Sequence, residues 1–271
     1  MPEGPSVLAA ASRLHSRLEG ATILSAAVVG GRYKTHGDPK GFDAFQTQLP
    51  LVIEGIGCKG KLIWWKLGGG TLYMLSTLGL SGAWKFRKDK HSAVVLVTSR
   101  GSVWFSDQLH YGTMSFVDKA AFRKKIRAIG PDLLRSPPPS LARIGRRFDK
   151  YPTWAISKFL MDQSKVSGIG NYLKAEILYV SRIAPETTIG SLDAAARKRL
   201  YLCMVLMPRI DLLKRRLVLD GEPHRYPWRF VMRVYRKKSV PGGHAVERSK
   251  TSDKRVTYWV PAVQKQLKTF C

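Results

Sequence analysis

MDQSKVSGIGNYLKAEILY, residues 161–179, carries two apolar-periodic runs on either side of Gly168-Ile169-Gly170-Asn171. The periodicity predicts helices over 154–162 and 172–180, with a third over 192–206. Paired glycines at the entrance to a helix let the backbone approach an anion, and the free N–H groups of the first turn then point at it. An isolated loop of this kind is more often an ordinary helix–helix turn. Lys158, Lys165 and Lys174 flank this one, which makes a grip on phosphate the expected use.

The whole chain is biased the same way. Its 271 residues include 46 Lys+Arg against 19 Asp+Glu, a net charge of +27, and an excess this large implies a polyanionic partner. Basic residues are spread through loops and expected strands rather than along amphipathic helices, which favours nucleic acid over an anionic membrane. A hydrophobic fraction of 44% is that of a globular protein. Residues 1–20 lack a basic start followed by an apolar run, and the longest apolar run, 200–207, is far short of the ~18 residues a membrane span needs. The expectation is a soluble intracellular protein acting at DNA (in the nucleus, if eukaryotic), neither secreted nor membrane-bound. Cys58, Cys203 and Cys271 are dispersed and odd in number; they read as reduced thiols with no CxxC metal site.

Towards the N-terminus, residues 21–118 read as short strands. Hairpins are expected from 61–67 and 71–75 around Gly68-Gly69-Gly70, and from 93–98 and 103–106 around 99–102. Such spacing predicts a β-sandwich. Ahead of it, Val7, Ala11, Leu14 and Leu18 form the stripe of an amphipathic helix, with Pro5 suited to its first turn and Gly20 to its end. MPEGP is therefore fastened to the start of a packed helix. SPPPS at 136–140 marks a boundary. Towards the C-terminus, strands are expected over 230–235 and 255–260 around Pro241-Gly242-Gly243. Three domains result: 1–135, 141–225 and 226–271.

MPEGP, Lys61 at the start of an apolar strand, MDQSKVSGIGNYLKAEILY, and RVTYWVPAVQ at 255–264 occur in an order that resembles the formamidopyrimidine-DNA glycosylase/endonuclease VIII family over essentially the whole chain. Gly4 leans towards the endonuclease VIII-like branch, since the other branch usually has leucine there. The resemblance implies an α+β multidomain fold: a catalytic helix with a β-sandwich, a helix–two-turn–helix domain, and a C-terminal β-hairpin finger. It implies a bifunctional glycosylase/AP lyase acting on oxidised pyrimidines and hydantoins, with no cofactor. Pro2, freed by removal of Met1, would be the nucleophile, Glu3 the proton shuttle, and Lys61 a neighbouring cation that lowers the amine's pKa. Asn171 and Arg255 would hold a phosphate, with Gly168 and Gly170 admitting it. Leu80, Leu109 and Tyr111 would fill the void left by the extruded nucleotide. Read by themselves, Leu80 and Leu109 are more commonly core residues.

The chain departs from the family pattern in three places. Ser6 stands where one branch has glutamate. Leu109 replaces an arginine that would hydrogen-bond the orphaned base. Val260 and Val263 replace two finger cysteines, and Gly242 and Ala245 fall about where the other two belong. No zinc is therefore expected, and Tyr235, Tyr258 and Trp259 would supply the finger's packing. The expected partner is damaged DNA, duplex and also single-stranded or bubble, bound by a monomer. A catalytically inactive DNA- or RNA-binding protein is the alternative.

Overall fold

The computed structural model describes residues 2–219 and 231–265. It forms two compact units, Met1–Ala128 and Ile129–Cys271.

The first unit opens with helix α1, Gly4–Leu18, whose buried face carries the expected Val7, Ala11, Leu14 and Leu18. Eight antiparallel strands follow: β1 Thr22–Val28, β2 Leu51–Lys59, β3 Leu62–Leu67, β4 Leu72–Thr77, β5 Ala83–Lys85, β6 Ser92–Thr98, β7 Gly101–Ser106 and β8 Thr113–Asp118. Short helices α2 (Arg32–His36) and α3 (Phe42–Gln46) lie between β1 and β2, and α4 (Lys119–Ala128) ends the unit. The strand order is β5-β7-β6-β1-β2-β3-β4-β8. The β1–β2 joint rests on two residue pairs, Thr22↔Val52 and Ile23↔Leu51, so the sheet works as two four-stranded halves. Trp65 on β3 meets Trp84 on β5 at 5.0 Å between ring centroids, across the two halves. This is the expected sandwich. Both expected hairpins are present, although β6 and β7 close more tightly than expected, at Thr98↔Gly101. The Thr98 hydroxyl accepts from Arg100 N and donates to Gly101 O, which shortens the turn.

The second unit contains α5 (Leu141–Asp149), α6 (Ile156–Met161), α7 (Asn171–Ser181), α8 (Ala194–Leu219), and a hairpin of β9 (Glu247–Lys250) and β10 (Val256–Trp259). The three expected helices are α6, α7 and α8, with α8 running well past 206 and through Pro208. The SPPPS segment lies inside this unit instead of bounding it. Tyr201 Oη donates to Pro139 O, and Arg209 donates to Leu133 O and Arg135 O, so α8 ties the segment down. Nor is 226–271 a separate unit: Ala175 of α7 shares a buried cluster with Val234, Val240 and Val260.

The C-terminal strands differ from expectation. Residues 231–235 form no strand, and Phe230 lies outside the described residues. β10 pairs with β9 from Val256↔Lys250 to Trp259↔Glu247, around a turn at 251–255. Pro241-Gly242-Gly243 closes a smaller loop, bridged at Ser239↔Ala245 with positive φ at both glycines. Glu176 takes the place of a strand partner for the earlier segment. Its carboxylate accepts from the N–H groups of Arg233, Val234 and Tyr235.

Candidate active site and nucleic-acid interface

In the first unit, Glu3 is the N-cap of α1 and is fully buried. It forms a capping box with Ser6: the Glu3 carboxylate accepts from Ser6 N–H, and Glu3 N–H donates to Ser6 Oγ at 2.9 Å. Two orphan donors of the helix start are thus satisfied reciprocally. A carboxylate there also meets the positive end of the helix dipole. Ser6 therefore has a use that the sequence alone did not disclose: it fixes Glu3. Pro2, immediately before it, is half-buried.

Lys61 is also half-buried, in the Gly60-Lys61 turn between β2 and β3, where Gly60 has φ +58°. The helix and β2 run antiparallel side by side. Gly20 N donates to Ile53 O at 2.8 Å, and Ile56 N donates to His15 Nδ1 at 3.3 Å. From His15 back to Glu3 the helix covers about 18 Å; from Ile56 on to Lys61 the strand covers about 17 Å. Both tracks run from this shared contact towards the same edge of the unit, the helix to Glu3 and the strand to the turn that carries Lys61.

Leu80, Leu109 and Tyr111 are exposed, at 39%, 50% and 62%. The core reading of the two leucines does not hold. Two loops present them, and the buried Asp107 stitches those loops together. Ser81 Oγ donates to Asp107 Oδ1 at 2.5 Å and accepts from Leu109 N at 2.8 Å, while Gly112 N donates to Asp107 Oδ2 at 2.6 Å. A Cβ on Gly79 (φ +55°) would lie 2.5 Å from the Tyr111 carbonyl carbon, so only glycine lets the loops approach this closely.

In the second unit, the expected loop precedes α7. Gln163 brackets it: Gly168 N donates to Gln163 Oε1 at 3.1 Å, and Gln163 Nε2 donates to Ile169 O at 2.9 Å. This bracket is the physical role of the MDQ stretch within the motif. Gly168 has φ +95°, and Gly170 is the N-cap of α7. Asn171 opens the helix and donates from Nδ2 to Val256 O at 2.9 Å, which places it beside Arg255. The Arg255 side chain is exposed, and no ion pair holds its guanidinium among the described residues.

Of the three flanking lysines, Lys174 differs from expectation. Lys158 is exposed, 4.2 Å from the Trp154 ring centre. Lys165 is 18% exposed, over the Tyr151 ring and 4.0 Å from Asp162. Lys174 is fully buried and pairs with Asp253 at 2.6 Å. A lysine facing inward on α7 cannot meet a phosphate.

Zinc does not fit the finger. Val260, where a thiolate would stand, is fully buried in an apolar cluster with Val234 and Val240. Tyr235 and Tyr258 pack at 5.1 Å as expected; Trp259 Nε1 is buried without a partner among the described residues. No group of three His, Cys, Asp or Glu residues able to hold a metal occurs among the described residues. Polar staples hold the hairpin: Gln264 Nε2 donates to Ile183 O at 2.9 Å and its Oε1 accepts from Val260 N at 2.7 Å, and Glu186 accepts from Ser252 N at 2.9 Å. Burial pushes the Glu176 carboxyl above the usual carboxylate range, against the opposing pull of its three N–H donors.

Among the described residues no helix is long and apolar enough to cross a membrane.

Comparison with solved structures gives the class of fold. The Lactococcus lactis formamidopyrimidine-DNA glycosylase, non-covalently bound to DNA containing an AP site, matches with a TM-score of 0.81 at 20% identity, covering 97% of this chain and 99% of that one. MutM in complex with carbocyclic 8-oxo-G DNA also matches at 0.81 and 20% identity, covering 97% and 100%. The architecture is the fold that these structures share. Sequence models of the formamidopyrimidine-DNA glycosylase N-terminal and C-terminal domains match residues 1–114 and 227–265. The Enterococcus faecalis formamidopyrimidine-DNA glycosylase is 31% identical over 233 residues, covering 82% of this chain and 78% of its own. That of Thermus thermophilus is 26% identical over 278 residues, covering 97% and 98%. The chain belongs to the formamidopyrimidine-DNA glycosylase family.

Proposed function

We propose that this DNA glycosylase of base excision repair removes oxidised pyrimidines and hydantoins and then cleaves the strand, with the Pro2 amine as nucleophile. The observation that carries the reading is the buried, doubly bonded Glu3 at the start of α1, which holds the residue before it in one place. With Met1 removed, Pro2 presents a secondary amine. An α-amino group has a pKa of about 8, so roughly a tenth is free base at pH 7, and the nearby Lys61 cation raises that fraction. The amine attacks C1′, the base leaves with its bonding pair and takes up a proton, and loss of the amine proton on ring opening gives an iminium. Glu3 exchanges protons with the opening sugar. Loss of a C2′ proton then expels the 3′ phosphate, and a second elimination expels the 5′ phosphate.

Asn171, Arg255 and the Gly168–Gly170 turn hold the backbone. Leu80, Leu109 and Tyr111 occupy the vacated stack, and Leu109 has no donor with which to tell one orphaned base from another. A bidentate arginine contact contributes about 1–3 kcal/mol of discrimination, so excision should vary by less than about tenfold with the opposite base and should extend to single-stranded and bubble DNA. The protein acts as a monomer wherever the cell keeps its DNA, and Gly4 supports a place on the endonuclease VIII-like side of the family.

Borohydride trapping on duplexes carrying an oxidised pyrimidine, a hydantoin or an abasic site tests the chemistry. Correctly processed protein should form a covalent adduct, and an N-acetylated terminus should not. Processed protein that traps on none of these substrates would instead be a binding protein without catalysis.

A further inference from the structure

We propose that the buried Lys174–Asp253 ion pair is a positioning device that aims Arg255 at the phosphate also held by Asn171. The proposal rests on the reading of those two residues as backbone contacts. Asn171 and Lys174 are three residues apart on α7, one turn along the same face. Asp253 and Val256 are three residues apart in the hairpin and enclose Arg255. Asn171 Nδ2 holds Val256 O at 2.9 Å, and Lys174 Nζ holds Asp253 Oδ2 at 2.6 Å. Helix α7 thus grips the chain on both sides of Arg255.

The turn passes that grip to Arg255 through its backbone. Asp253 Oδ1 accepts from Thr251 Oγ1 and, at 3.5 Å, from Arg255 N. Arg255 O accepts from Thr251 N at 3.0 Å. A single attachment at Val256 would leave the turn free to pivot; two attachments fix its direction. The energetics favour positioning over plain stabilisation. Side-chain exposures of 0% and 3% mean that both charges have lost their water. Stability alone would be served as well by two apolar side chains of similar volume. What a charged pair adds is a required geometry.

The test is the salt dependence of binding by full-length processed protein to a duplex holding a stable abasic-site analogue. Arg255→Ala should flatten the slope of log K against log salt by about 0.9, the contribution of one phosphate. Lys174→Met should flatten it equally and lose affinity by the same factor, with no further loss in the Lys174→Met/Arg255→Ala double variant. Lys174→Met/Asp253→Leu removes both buried charges. It should recover the melting temperature yet keep the flattened slope, because the Asp253 bonds to the turn are gone. It also carries the test if Lys174→Met alone does not fold. A folded Lys174→Met with the wild-type slope overturns the proposal. So does a Lys174→Met/Asp253→Leu variant that regains the slope together with stability. An unchanged slope in Arg255→Ala removes the phosphate reading beneath it, an outcome separate from either of these.

Discussion

The sandwich and the C-terminal hairpin solve the same problem, keeping short strands together, by opposite means. In the sandwich, Trp65 meets Trp84 across the two halves at a centroid distance of 5.0 Å, and Trp84 packs on its strand neighbour Phe105 at 5.3 Å, inside a large apolar cluster. Beneath the hairpin, the buried apolar cluster among the described residues is small: Ala175 of α7 with Val234, Val240 and Val260. Glu176, Glu186, Gln264 and the Lys174–Asp253 pair do the rest. Apolar packing tolerates small shifts because dispersion and hydration are non-directional. Buried carboxylates and amides tolerate few, because a stranded donor or charge costs its full desolvation. The hairpin thus trades bulk for directionality, which fits the proposed placing of Arg255.

Breaking the apolar side of this comparison should have the largest effect. Trp65→Ala should cost about 3–5 kcal/mol, measured by denaturant unfolding, without changing the salt slope of whatever folded protein remains. On the polar side, Glu176→Gln keeps one acceptor oxygen and loses the other, and should cost about 1–2 kcal/mol. It should also change the pH dependence. Because the folded Glu176 pKa is raised, the native state binds the extra proton between the unfolded and folded values. The contribution to stability is therefore full below the unfolded pKa and is lost as pH rises through the folded one. The melting-temperature difference, wild type minus Glu176→Gln, should grow as pH falls from neutral towards the ordinary glutamate range; a constant difference would remove burial as the cause. Ser6→Ala should cost about 1 kcal/mol through the lost half of the capping box, but lower single-turnover excision by more than the stability change explains, since the Glu3 backbone loses its bonds to Ser6 Oγ. A chelator should leave both melting and trapping unchanged, and stoichiometric zinc in purified protein would refute a metal-free hairpin.

Much of the first unit was legible because its signals are local. The α1 stripe has helical period, Gly68-Gly69-Gly70 marks a turn, and apolar runs flank both. The helices around Gly168 were legible for the same reason. What escaped was either charged or long-range. Helix α4, KAAFRKKIRA, has no buried residue, so no apolar period betrays it. Strand β9, ERSK, has mostly exposed side chains and lacks the alternation of a half-buried strand. Lys174 reads as a surface cation until its partner, 79 residues on, is known. The Glu176 donors lie 57 to 59 residues away. Site residues tied to a helix start or a turn were visible; the residues that hold them still were not.

The Asp107 junction bears on how this protein can change over generations. Leu80, Leu109 and Tyr111 are exposed, while Asp107, Ser81, Gly79 and Gly112 make the bonds and close approaches that join their loops. The probing side chains are therefore uncoupled from the frame that carries them. Substitutions at 80, 109 and 111 can be sampled at little risk to folding, so under the proposed function preference among lesions or strands could drift while the scaffold stays fixed. A change at Asp107 would release both loops together, and with them all three probes in a single mutational step.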